Sequence, residues 1–240
     1  MTIGMIKYHL LVLFREPSNM FFGLGLPFLN LFLISGNFEE GDGAYFLEVA
    51  LPMFIVIAIL VLCFMDSAMS HVYSRQTKFL RRLRMTPVKS ATYILTGVLS
   101  RISVLLVFVA AFLTVTTFAF DFSIGNRNWA IFISVLILTF AMFYLIGMVI
   151  ANVLKNAKTS QSVLYIVFFG LLFLGNAFFP IEAMPDIMQT IAQNTPTVYA
   201  ISLLQSAWMG TDLLYGHNLI AVVGITAVFG LLSVKFFRYE

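Results

Sequence analysis

Residues 129–151 read WAIFISVLILTFAMFYLIGMVIA, an apolar run with neither a charged residue nor a proline. About 20 such residues are enough to cross the hydrocarbon core of a bilayer. The run does not alternate apolar with polar positions as a barrel wall would, so it predicts a helix. Trp129 opens it with an aromatic of the kind that sits at headgroup level.

Working outward, the same reading applies to most of the chain. Phe46–Met65 is a second long run, and Tyr93–Phe120 a third, long enough to tilt. Shorter or more broken runs cover Ser160–Phe179, Asn218–Phe237 and Met20–Ser35, the last carrying Gly23, Gly25 and Pro27 and therefore expected to kink. Six spans, about 20–35, 46–65, 93–120, 129–151, 160–179 and 218–237, make an all-α polytopic membrane protein in a single transmembrane domain, 1–240. Composition agrees: 60% of the 240 residues are hydrophobic, 10% are charged and the mean hydropathy is +0.96, more apolar surface than a water-soluble core could hide.

The segments between the spans are equally informative. In residues 3–16 a helical wheel gathers Ile3, Ile6, Leu10, Leu13 and Phe14 on one arc, leaving Tyr8, His9, Arg15 and Glu16 elsewhere, with Val12 an exception. This predicts an interfacial helix ended by Pro17. Its charges interrupt the run before a signal-peptide core develops, so no cleaved leader is expected. Beyond the fifth span, Pro180, Pro185 and Pro196 break a semi-polar stretch into two expected surface helices, about 184–194 and 197–210.

Charge sets the expected orientation. The N-terminus, the stretch 66–92, the loop 152–159 and the C-terminus together hold 12 of the 14 Lys and Arg residues. Basic residues collect on the cytoplasmic side, so both termini are expected inside a cell membrane. Arg127 lies on the opposite side, and Arg101 lies within the third span near its basic end, where an arginine can snorkel to the headgroups or pair with a partner such as Asp66.

Most catalytic chemistry is excluded. His9, His71 and His217 are far apart and read as near-surface, and Cys63 is alone, so neither a metal site, a catalytic constellation nor a disulfide framework is expected. No lysine follows a glycine, so the chain lacks a phosphate-binding loop and is not expected to be an enzyme in its own right. Ionisable residues near the middle of the six spans are missing, which argues against a proton- or sodium-coupled carrier. No nucleic-acid partner is expected.

The stretch 66–92 stands out. On a helical wheel Arg75, Lys78, Arg81 and Arg82 share one arc, Phe79, Leu80 and Leu83 share another, and Thr86-Pro87 stops the helix. Topological charge explains the basicity. It does not explain an apolar stripe with a proline stop, which suits hydrophobic anchors and a charged rim for a soluble partner.

These residues, in this order, resemble the ABC-2 type permeases, the membrane subunits of ABC exporters. The N-terminal helix ends at Arg15-Glu16-Pro17, and Lys78-Phe79-Leu80-Arg81-Arg82-Leu83-Arg84-Met85-Thr86-Pro87 is similar to the family's basic stretch ending in Thr-Pro. Gly175 to Pro180 with Glu182, Met184 and Pro185 resembles its aromatic-proline segment. Pro196 with Tyr199 resembles the turn that follows, and Lys235-Phe236-Phe237-Arg238 its tail. The chain departs from the pattern at Arg75-Gln76-Thr77, where the family often carries Glu before Gly-Thr.

The resemblance implies a permease paired with a second permease subunit, identical or similar, and with two copies of a separate ABC ATPase that holds ATP and Mg. This chain would itself bind no cofactor. Coupling to the ATPase would fall to Arg75, Lys78, Phe79, Arg82, Leu83, Arg84, Thr86 and Pro87, and the interfacial helix would contribute Lys7, Leu10, Phe14 and Arg15. Phe179, Pro180, Glu182, Met184, Pro185 and Pro196 would form the outer segment. Gly23 and Gly25 in span one, with Gly170 and Gly175 in span five, permit close helix approach and are the expected dimer contact. An amphiphilic substrate such as a drug, peptide or lipid would leave outward. A channel or ion-coupled carrier, and a non-transporting membrane anchor or assembly factor, remain the alternatives.

Overall fold

In hydrocarbon no water is present to bond the backbone, so each spanning segment must satisfy its own N–H and C=O groups. The computed structural model describes residues 11, 25, 27–29, 32, 42–78, 90–120, 125, 127–154, 156–175, 184–210 and 216–236, and these meet that demand with helices and no strand. In chain order they are α1 (Asp42–Ile59), a π-helical segment (Leu60–Asp66), α2 (Ser67–Gln76), α3 (Ser90–Phe120), α4 (Trp129–Val153), α5 (Ala157–Leu174), α6 (Asp186–Gln193), α7 (Pro196–Met209) and α8 (His217–Phe236).

Polar residues on these helices bond locally. The hydroxyls of Ser100, Ser103, Thr114, Ser134 and Thr226 each donate to the carbonyl four residues back, at 2.6–2.8 Å. A hydroxyl satisfied by its own helix can face lipid or core at little penalty. Ends are capped as the sequence allows. Asn128 accepts from the Ile131 N–H and Asn156 from the Lys158 N–H, while Pro196 takes the first turn of α7 and Gly210, at φ 75°, closes it in the left-handed region that favours glycine.

α1, the π segment and α2 form one uninterrupted helical rod, Asp42–Gln76, about 50 Å long at 1.5 Å per residue. Its middle is the core of the molecule, since Leu51, Ile55, Val56, Ile59, Leu60, Leu62, Cys63 and Phe64 are all completely buried. α3 runs antiparallel to the rod, with Phe54 against Phe112 at 5.7 Å and Asp66 against Arg101. α4 runs parallel to it, meeting it at Glu48 with Arg127, at Phe64 with Gly147 and at His71 with Asn152. Gly147 matters at that crossing: a Cβ there would lie 2.9 Å from the Phe64 carbonyl oxygen, so only glycine lets the two backbones approach this closely. α8 packs on α4 and α7, and α7 on α1. Phe28, from the region expected as the first span, reaches Phe108 and Phe112 with ring centroids 5.7 and 5.1 Å apart.

The exterior is apolar. Val107 on α3, Phe118 near its end, Ile166 on α5, and Ile220 and Leu231 on α8 are all more than two-thirds exposed, which suits a surface solvated by lipid tails. Among the described residues three helical stretches are long and apolar enough to cross a membrane, namely Leu47–Gln76, Leu95–Ala119 and Trp129–Val153, with shorter apolar helices at Lys158–Leu174 and His217–Ser233.

Several boundaries differ from the sequence expectation, among them the starts of the second and third spans, whose helices begin at Asp42 and Ser90. The span expected to stop at Met65 continues as helix to Gln76, because the polar residues beyond Met65 find partners on neighbouring helices. The fifth expected span, 160–179, begins earlier, at Ala157, and its helix ends at Leu174.

Candidate functional site

Polar side chains gather at two ends of the bundle. Glu48 and Asp66 lie 18 residues apart on the rod, which places them about 27 Å apart along its axis and close to the thickness of a hydrocarbon core.

At the Glu48 end, Arg127 donates to the Glu48 carboxylate at 2.5 Å and to the Trp208 carbonyl at 2.8 Å, with its guanidinium carbon 4.9 Å from the Trp208 ring centroid. Trp208 stacks edge-on with Phe132 at 5.3 Å and Trp129 at 6.1 Å, and Gln205 donates to the Val49 carbonyl at 3.1 Å. These contacts tie α7 and the start of α4 to the rod. The Glu48 side chain keeps 36% of its exposure, so the pair adds little beyond orientation.

The Asp66 end is built differently, around three successive attachments of the rod. The first is Asp66 itself, the last residue of the π segment, whose Oδ2 accepts from Arg101 Nε at 2.8 Å and lies 2.6 Å from a terminal guanidinium nitrogen of the same residue. The other terminal nitrogen donates to the Gly97 carbonyl at 3.2 Å. Both side chains are under a tenth exposed. Arg101 therefore does not snorkel: its guanidinium points into the bundle and pairs with Asp66, because a buried carboxylate one helix away stabilises it better than a path along α3 to the headgroups.

Five residues on, His71 donates from Nε2 to the Asn152 amide oxygen at 3.0 Å, and both residues are buried. The expectation of a near-surface histidine is thus corrected, since continuation of the helix carries His71 inside. Arg75, one turn further, donates to the Asn152 carbonyl at 3.3 Å and to the Leu154 carbonyl at 2.5 Å. Those carbonyls are at the C-terminus of α4, where the last four lack intrahelical partners and the helix dipole favours a cation. The arginine satisfies both needs at once. Three side chains spaced along the rod thus fasten it to α3 once and to α4 twice.

The rod then stops. Thr77 closes the turn with its N–H on the Tyr73 carbonyl, and Lys78 takes φ 54°, which no helix can continue through. Arg75 and Lys78 consequently do not share the face of one helix, as the wheel over 75–85 predicted: Arg75 belongs to the buried rod and Lys78 to the break after it. Phe79, Arg81, Arg82, Leu83, Arg84, Thr86 and Pro87 lie outside the described residues, as do Lys7, Leu10, Phe14, Arg15, Gly23, Phe179, Pro180 and Glu182. Of the expected outer segment, Met184 offers its carbonyl to Gln189 at 2.8 Å, Pro185 precedes α6, and Pro196 starts α7.

The expected dimer glycines separate. A Cβ on Gly175 would strike the Thr197 side chain and the Leu171 carbonyl, so this glycine serves contact between α5 and α7 inside the chain. Gly170 has open space before it, and Gly25 is half-buried. Among the described residues no group of three or more His, Cys, Asp or Glu could hold a metal ion.

Sequence reasoning missed the π segment, Gly147 and the two contacts of α2 with the end of α4. A signal for the second contact was present: no glycine or proline occurs between Asp66 and Gln76, and Ala68 and Val72 are spaced four apart.

An all-helical bundle with a lipid-like exterior, its described helices pinned by polar contacts at both ends, defines an integral membrane protein. The profile of the ABC-2 type transporter family matches residues 2–209, and the chain belongs to that family. A protein of Porphyra purpurea named as a transport permease, ycf38, is 21% identical over 225 residues, covering 91% of this chain and 77% of its own length. The chain is thus a membrane component of an ABC-2 transporter, of a kind that generally works in a lipid bilayer with an ATPase subunit.

Proposed function

We propose that this chain is the permease subunit of an ATP-driven exporter in the cell membrane, with six spans and both termini in the cytoplasm. Two permease subunits, identical or similar, would enclose the path, and two copies of a separate ABC ATPase would bind ATP and Mg. The permease itself catalyses no reaction and binds no cofactor. Its substrate is amphiphilic and leaves outward.

The observation that carries this reading is the position of the helix break. Rod residues up to Gln76 are anchored in the bundle, and the basic, apolar-striped stretch 78–87 begins immediately after them. A partner that engages Phe79 and Leu83 therefore pulls on the end of the most deeply buried helix in the described structure. The buried charge inside the rod is neutralised by its own partner, which favours this reading over an ion-coupled carrier with a free titrating group.

The test compares two substitutions in the permease purified with its ATPase. Truncating an aromatic anchor at an interface commonly costs about 2 kcal/mol or more, while an exposed rim charge contributes about 1 or less. Phe79→Ala should lose complex recovery and substrate-stimulated ATP hydrolysis more than Lys78→Ala does. Wild-type levels of both in a folded Phe79→Ala protein would remove the coupling role from this stretch.

A further inference from the structure

The π-helix is rare, and where it interrupts a long α-helix it is frequently at a functional site. Here seven residues, Leu60–Asp66, adopt that form in the middle of the rod, and every one of them is buried. We propose that this segment is the hinge at which movement of α2 is converted into movement of the membrane bundle, with Asp66 and Arg101 as the latch that holds its resting geometry. The proposal rests on the exporter reading and adds the element inside the permease that changes shape.

Three features place the hinge here. Tightening the seven-residue π segment to α geometry keeps every residue in the helix but overwinds it, turning everything beyond by about 100° and displacing each Cα by about 3.5 Å on a cylinder of about 2.3 Å radius. Only α2 lies beyond the segment before the helix breaks, so the rotation is delivered to the stretch at Lys78. The segment is also locally supported in its widened form: the Ser67 hydroxyl donates to the Leu62 carbonyl five residues back at 3.3 Å, and Gly147 on α4 leaves room for the Phe64 backbone.

The latch sits where such a rotation acts first. Asp66 is the last π residue, and turning it by 100° removes its carboxylate from Arg101. The same turn withdraws His71 from Asn152 and Arg75 from the end of α4, so all three attachments release together or hold together. Above the hinge nothing needs to move, because α1 is fixed to α7 and α4 through Val49, Glu48 and Trp208. That arrangement gives two discrete states instead of a graded bend.

Spin-label distances decide the question with Asp66 and Arg101 left intact. In a Cys63→Ser background, labels at Tyr73 and Leu99 report across the hinge, and labels at Val49 and Phe118 report between the same two helices near their other end. Tyr73, Leu99 and Phe118 are exposed, and Val49 is half-buried. In nanodiscs with the ATPase bound, a non-hydrolysable ATP analogue should shift the Tyr73–Leu99 distance by several ångströms and leave Val49–Phe118 unchanged. Equal shifts in both would mean a rod that tilts rigidly, and no shift in either would mean an inert segment; each result overturns the hinge while the complex still hydrolyses ATP. Failure to recover any nucleotide-dependent complex overturns the exporter reading and the hinge with it.

A second set of variants tests the latch. Asp66→Asn should hydrolyse ATP without substrate and transport at least tenfold more slowly, and the exchanged pair Asp66→Arg with Arg101→Asp should recover coupling that neither single change retains. Wild-type coupling in Asp66→Asn refutes the latch. If that variant does not reach the membrane, the distance measurement above still decides the hinge.

Discussion

Removing one member of the Asp66–Arg101 pair should destabilise the bundle far more than removing both. The two side chains are 8% and 6% exposed, and they meet through two contacts of 2.8 and 2.6 Å on a single carboxylate oxygen. Deleting either partner of a buried pair leaves an uncompensated charge and costs about 3–5 kcal/mol. Within a bilayer the lower end of that range applies, because a denatured chain still finds polar partners and water defects. Asp66→Asn should therefore lose about 3 kcal/mol, or about two powers of ten in the folded-to-unfolded ratio. Arg101→Met should lose a comparable amount, since it leaves the buried Asp66 carboxylate without its partner. Asp66→Asn with Arg101→Met removes both charges, and replacing a buried pair by neutral groups is often nearly neutral. The expected coupling from the double-mutant cycle is at least about 2 kcal/mol, within the range of contacting residues. Reversible unfolding in mixed detergent micelles, followed by helical signal across a titration in SDS, measures all four proteins. Additive costs, with coupling below about 0.5 kcal/mol, would show that the two side chains do not depend on one another.

Two glycines give opposite expectations. Gly147→Ala places a Cβ 2.9 Å from the Phe64 carbonyl oxygen and should destabilise by about 1–3 kcal/mol, while Gly170→Ala meets nothing within 4 Å and should change stability by less than about 0.5; the same unfolding titration checks both. Sidedness is tested by thiol labelling in a Cys63-free background, where cysteines at Asn37 or Asn126 should react with an impermeant reagent outside intact cells, and labelling at Lys78 or Lys158 would reverse the orientation. Arg75→Ala removes donors to the Asn152 and Leu154 carbonyls, so amide exchange in the last turn of α4 should speed up while exchange around Trp129 does not change.

The helical class and the longest crossings were legible in the sequence because hydrocarbon leaves only a few backbone solutions, and runs such as 129–151 carry no competing signal. The breaks after the fifth span were legible from their prolines, with Pro196 at the first turn of α7, but α7 is not the surface helix expected there: Ala200, Ile201, Leu203, Leu204 and Trp208 bury it against the rod and α4. The end of the second span was not. Hydropathy falls at Asp66, Ser67, Ser70 and His71, yet Asp66 and His71 are buried by partners on α3 and α4 that lie 35 and 81 residues away in sequence. A single polar residue read alone looks like a loop, and only its distant partner makes it core. Arg101 shows the same limit: its depth in α3 was visible, and the choice between snorkelling and pairing depended on where the helix before it ended. The π segment left no trace in composition, since Leu60–Met65 would be equally at home in an α-helix. Gly175 was read for its small size, which was right, while the surface it serves lies on α7 of the same chain.

Whether a separate ATPase drives this permease is decided by purifying the intact chain from its native membrane and identifying what accompanies it. The expected result is stoichiometric recovery of a protein carrying a phosphate-binding loop, with ATP hydrolysis by the complex and none by the permease alone. Recovery of the chain without any such protein, under conditions that keep it folded and able to move substrate across a vesicle membrane, would contradict it.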